Sequence, residues 1–200
     1  MKLNSLEFAL MNNPLRSASQ WWIETPRLIG PRGSLIGKRV LEVGCGRGVG
    51  VEILLSLGAT HVTGFDLDSK TIALARKRLT DYRDRVRVFV GDAEAIDAPD
   101  ASFDAVVDYG VIHHIPQWQK ALKEIARVLK PGGIFYFEDL LKGLISVWPA
   151  PLLFDHPQAT QFRGREFRAG LEFAELHVQK WYQLGEWAIA GRARKPSPAQ

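Results

Sequence analysis

Cysteine is all but missing from this 200-residue chain: Cys45 stands alone, which excludes an internal disulfide framework and a multi-cysteine metal site. Long apolar runs are missing too, and no stretch approaches the ~20 uncharged residues of a membrane span. Residues 1–10 include Glu7 and lack the basic, apolar and small-residue regions of a secretory signal, so the expectation is a cytoplasmic protein. An excess of one charge is nearly absent. Lys and Arg number 26 against 22 Asp and Glu, interleaved along the chain, a bias too weak to indicate nucleic acid. Two local basic clusters, Arg163, Arg165 and Arg168, and Arg192, Arg194 and Lys195, read as solvated surface. There is no internal repeat and no low-complexity block.

What is present suits one ordinary domain, with 46% apolar residues to fill its core. From residue 38 the pattern alternates. Strands are expected at Arg39–Val43, His61–Phe65, Val86–Val90, Asp104–Tyr109 and Ile134–Glu138. Helices are expected at Val49–Leu57, Ser69–Leu79 and Gln117–Leu129, the last stopped by Lys130-Pro131-Gly132-Gly133. Such alternation specifies a parallel sheet covered by helices on both faces. Residues 1–37 read as an N-terminal helical lid, with Pro14 opening its second helix. Residues 38–140 read as the core and 141–176 as a cover ending in a helix over 164–176. In 177–195, two strands separated by Leu184-Gly185 read as antiparallel.

The most informative stretch is Glu42-Val43-Gly44-Cys45-Gly46-Arg47-Gly48-Val49-Gly50. A buried strand delivers a carboxylate, then alternating glycines open a helix whose N–H groups can receive an anion. Dinucleotide sites use the same device, but their fingerprint needs Gly or Ala where Val49 stands. Asp66 closes the second strand about 20 residues on, placed to accept both hydroxyls of a ribose; Asp68 is the better helix cap. Asp92 follows the third strand, where an acid can accept from an adenine amino group or simply form a turn.

Five pieces in order, ExGxGxG at Glu42–Gly48, Asp66, GDAE at Gly91–Glu94, SFDAVV at Ser102–Val107 and LKPGG at Leu129–Gly133, resemble the class I S-adenosylmethionine-dependent methyltransferases. The resemblance is to their small-molecule branch, which includes ubiquinone- and menaquinone-biosynthesis-type enzymes. It implies a Rossmann-like three-layer α/β sandwich with a seven-stranded, mostly parallel sheet and an antiparallel last strand. It implies S-adenosyl-L-methionine as cofactor, held by Glu42, Gly44, Gly46, Gly48, Asp66, Leu67, Asp92, Ala93 and Tyr109. The chain departs from that pattern at Ile96-Asp97-Ala98, where such enzymes often carry Leu-Pro-Phe.

On the acceptor side, a sulfonium methyl is already activated, so proximity and in-line orientation carry most of the chemistry. A base is needed only for an acceptor that arrives protonated. His113 and His114, after the fourth strand, are the candidate bases; the other reading is a histidine that packs the loop. Asp139 is the best alternative polar group. Trp21 and Trp22 on the lid, and Trp148, Phe154, His156 and Arg163 in the cover, are the candidate acceptor contacts. No metal site is expected. The leading expectation is methyl transfer to a small molecule; the alternatives are methylation of a lipid headgroup or macromolecule, or a non-catalytic cofactor-binding partner subunit.

Overall fold

The computed structural model describes residues 13–145 and 162–197. At its start, the Asn13 side chain accepts the Arg16 N–H at 2.8 Å and caps α1 (Pro14–Ser19). Pro14 stands in the first turn, where its missing N–H costs nothing. The helical path continues through a π-helical turn, Gln20–Glu24, into α2 (Thr25–Leu28).

The core then alternates as its hydrophobic pattern requires. It runs β1 (Arg39–Val43), α3 (Val49–Ser56), β2 (His61–Asp66), α4 (Ser69–Arg78), β3 (Val86–Val90), β4 (Phe103–Tyr109), α5 (Trp118–Val128) and β5 (Leu129–Leu140). After it come α6 (Lys142–Ile145), α7 (Gly164–Phe173), β6 (His177–Leu184) and β7 (Ala188–Arg194). The Asp68 side chain accepts the Lys70 N–H at 2.9 Å and caps α4, leaving Asp66 available for another task.

The seven strands form one sheet in the order β3-β2-β1-β4-β5-β7-β6, and only β7 runs against the others. Alternate residues of each strand feed two cores. Leu41, Val106, Phe135 and Phe137 pack with α5 and α7, whereas Val40, Val107 and Tyr136 pack with α3 and α4. Strand order reverses between β1 and β4. The connections after these two strands diverge to opposite faces and leave a crevice at their C-terminal ends.

Two expectations need correction. The fifth strand begins at Leu129 rather than Ile134. Its register against β4 jumps from Phe103 opposite Leu129 to Ala105 opposite Ile134, so Lys130–Gly133 is a bulge inside the strand, with Gly132 at φ +79. The helix of the cover ends at Phe173 rather than 176, because Glu175 turns to φ +58 and Leu176 leads into β6. The C-terminal pair is antiparallel as expected, with its turn at Gly185–Trp187.

Candidate functional site

A cavity of about 330 Å³ fills the crevice, walled by the ends of β1, β2, β3 and β4 and by α1 with the turn that follows it. Each strand contributes in turn. Glu42 and the glycine loop come from β1, Asp66 and Leu67 from β2, Asp92 and Ala93 from β3, and Tyr109 to Val111 from β4. Eight of the nine expected cofactor residues therefore meet in one place. The ninth, Gly48, is turned away: it caps α3 at φ +86, and a side chain there would strike Leu79 and Ala75 of the neighbouring α4 segment. Its role is helix packing.

Asp66 organises the floor. One carboxylate oxygen accepts the Gly46 N–H at 3.0 Å and the other accepts the Asp68 N–H at 2.9 Å. A carboxylate offers about four acceptor positions, so two remain for hydroxyl groups. Asp92 accepts the Glu94 N–H at 2.9 Å, and Glu94 in turn accepts the Gln117 N–H at 3.0 Å, fixing the turn after β3 to the start of α5. Behind it, the unexpected Ile96 is buried in the core, its N–H bonded to Glu124. The departure from Leu-Pro-Phe is thus filled by an apolar side chain.

Glu42 is buried against Gly50, where no side chain would fit, and its Oε2 has no hydrogen-bond partner among the described residues. Burial, and then the charge of Asp66, hold its carboxyl well above the usual carboxylate range. Tyr109 donates to or accepts from Thr25 Oγ1 at 2.9 Å, joining β4 to the N-terminal segment; burial raises its phenol. On the same side Arg16 pairs with Glu24 and reaches Glu138 at 3.8 Å. Burial, and then the hydrogen bond with Glu24, push Glu138 up to about 9. Glu24 goes the other way: burial would raise it, but its bonds to Glu138, Ser19 and Arg16 outweigh that and lower it.

The two histidines separate. His113 is buried, its ring Nδ1 against Asp139 Oδ1 and its backbone N–H on Asp139 Oδ2 at 3.1 Å. It does not line the cavity. His114 does, and its ring lies on that of His113 with centroids 3.9 Å apart. The expectation that His113 itself reaches an acceptor is therefore corrected: Asp139 draws it into the core, where it holds the 110–116 loop. Asp108 holds the same loop through the Val111 N–H at 2.9 Å, and burial, with Asp139 nearby, raises its carboxyl well above the usual range.

The expected acceptor contacts fare differently. Trp22 is 77% exposed, Trp21 is half-buried, and neither lines the cavity. The face of the N-terminal segment that does is Arg16, Ser17 and Gln20, at helical spacing. Arg163 precedes α7 and bonds through its N–H to Glu166 at 2.9 Å, away from the cavity. Trp148, Phe154 and His156 lie outside the described residues. Among the described residues no group of three His, Cys, Asp or Glu could hold a metal, and no helix is long and apolar enough to cross a membrane.

Sequence reasoning missed Arg16, Ser17, Gln20 and Arg47 on the cavity wall. Arg47 sat in plain view between two glycines. The other three carried no signal beyond a polar helical face.

The groups present fit S-adenosylmethionine. Gly46, at φ +49, has open space where its side chain would be; the buried Glu42 oxygen lacks a partner among the described residues; and acids stand at the ends of β2 and β3 for a ribose and an adenine. Comparison with known proteins points the same way. Residues 41–137 match the family described as methyltransferase domain. The chain is 41% identical over 119 residues to the phthiotriol/phenolphthiotriol dimycocerosates methyltransferase of Mycobacterium tuberculosis, covering 58% of this chain and 43% of that protein. It is 43% identical over 105 residues to the fatty-acid O-methyltransferase of Mycolicibacterium smegmatis, covering 52% of this chain and 37% of that one. It is 35% identical over 134 residues to the ubiquinone biosynthesis O-methyltransferase of Thiobacillus denitrificans, covering 64% and 51%. The chain thus spans about half or less of the length of these relatives. Among solved structures, an S-adenosylmethionine-dependent methyltransferase from Mesorhizobium loti superimposes with a TM-score of 0.73 at 18% identity, covering 90% of this chain and 99% of that one. The [4+2]-cyclase SpnF superimposes equally well, at 0.73 and 20% identity, covering 91% and 82%. At such identities these two likenesses establish the fold alone. Ordered motifs, the family match and the relatives together support a class I S-adenosylmethionine-dependent methyltransferase domain over residues 41–137.

Proposed function

We propose that the chain transfers a methyl group from S-adenosylmethionine to a small-molecule or lipid acceptor. The observation that carries this reading is the cavity at the β1/β4 crevice, whose acids follow the strand order β3, β2, β1. Asp92 and Ala93 would face the adenine, Asp66 and Leu67 the ribose, and Glu42, Gly44, Gly46 and Tyr109 the amino-acid end. When bound, the cofactor supplies a methyl group on a sulfonium whose leaving thioether is neutral. The chain's own contribution is to orient that group, exclude water with the N-terminal segment, and present an acceptor to it.

The 110–116 loop is the wall from which an acceptor proton would be taken. His114, on that wall, is the proposed base for a hydroxyl or thiol acceptor; His113 and Asp139 position it from behind. The acceptor pocket is proposed to open on this loop, and the compartment to be the cytoplasm. Relatives named for phthiotriol/phenolphthiotriol dimycocerosates, fatty acids and ubiquinone biosynthesis favour an acceptor with a large apolar part. Incubation with methyl-labelled cofactor against pooled metabolites, extracted lipids and tRNA tests the proposal. Label in a lipid or small-molecule fraction supports it. Label confined to tRNA, or none in any fraction despite cofactor binding, would overturn it.

A further inference from the structure

The cavity is not uniform in charge. Its β2 and β3 side carries Asp66, Asp68, Asp92 and Glu94, whereas the opposite end, between the glycine loop and the N-terminal segment, carries Arg47 and Arg16. These two cations are held differently. Arg16 is occupied by Glu24 and Glu138. Arg47 is half-buried in the cavity wall, donates from Nη2 to Ser17 Oγ at 2.8 Å, and has no carboxylate partner among the described residues. Burial, and then the nearby Arg78, work against its charge, so the site favours an anion brought to it. The first N–H groups of α3, which follow directly, have no side-chain cap and add positive potential at the same place.

We propose that Arg47, braced by Ser17 of the N-terminal segment, recognises the carboxylate at the amino-acid end of the cofactor. The inference rests on the cofactor reading above. With the adenine at β3 and the ribose at β2, the amino-acid end reaches β1 and β4, where the arginine stands. The ligand's carboxylate meets Arg47, and its ammonium falls among Glu42 and the loop carbonyls. The Ser17 contact makes the N-terminal segment part of the cofactor site. That segment is further fastened by the Thr25–Tyr109 bond and by Arg16, so binding the amino-acid end and covering the cavity become one event.

The test compares two ligands by titration calorimetry on the full chain. S-adenosylhomocysteine has the amino-acid end; 5′-methylthioadenosine has the same thioether nucleoside without it. R47M is expected to weaken S-adenosylhomocysteine by about tenfold or more, the scale of a lost charge-assisted bond, while leaving methylthioadenosine within about twofold. S17A should weaken S-adenosylhomocysteine alone, by a smaller factor. An unchanged affinity for S-adenosylhomocysteine in folded R47M would overturn the proposal, as would an equal loss for both ligands. Failure of the wild-type chain to bind either ligand would instead overturn the cofactor reading beneath it.

Discussion

Replacing Asp66 separates two jobs that the structure gives to one carboxylate. In the folded chain it accepts the Gly46 and Asp68 N–H groups, at 3.0 and 2.9 Å. Both bonds are half-buried, so water can reach the freed donors in D66A, and the cost falls below the charge-assisted range to that of an ordinary hydrogen bond, about 1 kcal/mol each. Urea unfolding should therefore show a loss of about 2 kcal/mol, with the protein still folded at room temperature. Ligand binding should lose a comparable amount. A charged acceptor for two ribose hydroxyls is worth about 1.5–3 kcal/mol, or roughly ten- to 150-fold in the dissociation constant for S-adenosylhomocysteine.

A double-mutant cycle isolates the contact itself, because loop disturbance affects every ligand alike. A dideoxyribose analogue of S-adenosylhomocysteine should bind wild type poorly and lose little further in D66A. D66N keeps one acceptor oxygen and should lie between the two proteins. Unchanged S-adenosylhomocysteine affinity in folded D66A would refute the placement of the ribose. So would an analogue that suffers the full loss, since the effect would then belong to the glycine loop. Asp66 also raises the Glu42 carboxyl, so its removal should bring that carboxyl down toward the ordinary range.

Three further outcomes follow from the walls of the site. H114N should lower turnover on a protonated acceptor by about 10²–10⁴ while S-adenosylhomocysteine binding holds, and a loss under tenfold would leave proximity as the main mechanism. D139A should destabilise the fold by about 3 kcal/mol in urea unfolding, because it removes a buried acceptor that the His113 ring and N–H and the Leu140 N–H share; a loss below 1 kcal/mol would deny that role. Glu138, held up to about 9 against an ordinary 4.5, binds its proton more tightly in the folded than in the unfolded chain. Its stabilisation is complete below about pH 4.5 and is lost as pH rises through about 9. E138Q, always neutral, should flatten the fall of melting temperature across that window, and parallel wild-type and mutant curves would count against the shared proton.

The sheet was legible because its cause is local. Runs such as Arg39–Val43 and Phe103–Tyr109 are apolar on both faces, as central parallel strands must be, and each is separated from the next by a helical period. The chemistry of the cavity floor was legible for the same reason: a carboxylate at a strand end arrives at the C-terminal edge of the sheet whatever packs around it. What escaped was set by partners distant in sequence. Nothing near His113 announces that Asp139, 26 residues on, draws its ring into the core and leaves His114 on the wall. The N-terminal tryptophans looked like acceptor contacts because aromatics line pockets, yet the helix turns its polar face, Arg16, Ser17 and Gln20, toward the cavity.

The four alternating glycines after β1 show the boundary most sharply. In the sequence, Gly44, Gly46, Gly48 and Gly50 are equivalent members of one motif, and a loop that approaches a ligand explains them all. In the folded chain three of them answer to three different neighbours, and the fourth to none. A side chain at Gly44 would meet Val111 of the β4 loop, and one at Gly48 would meet α4 and Leu79 beyond it. At Gly50 it would displace the buried Glu42 carboxylate. Only at Gly46 does it meet open space, and there the ligand is the remaining claimant. Three of the four glycines are therefore required by packing within the protein, and they bring β1, α3, α4 and the β4 loop close enough to shape the cavity. An alanine at Gly46 leaves protein contacts intact, though its φ of +49 costs some backbone strain. An alanine at Gly48 or Gly50 forces elements apart. The motif is a ligand signature mainly because the ligand needs this particular close packing around it.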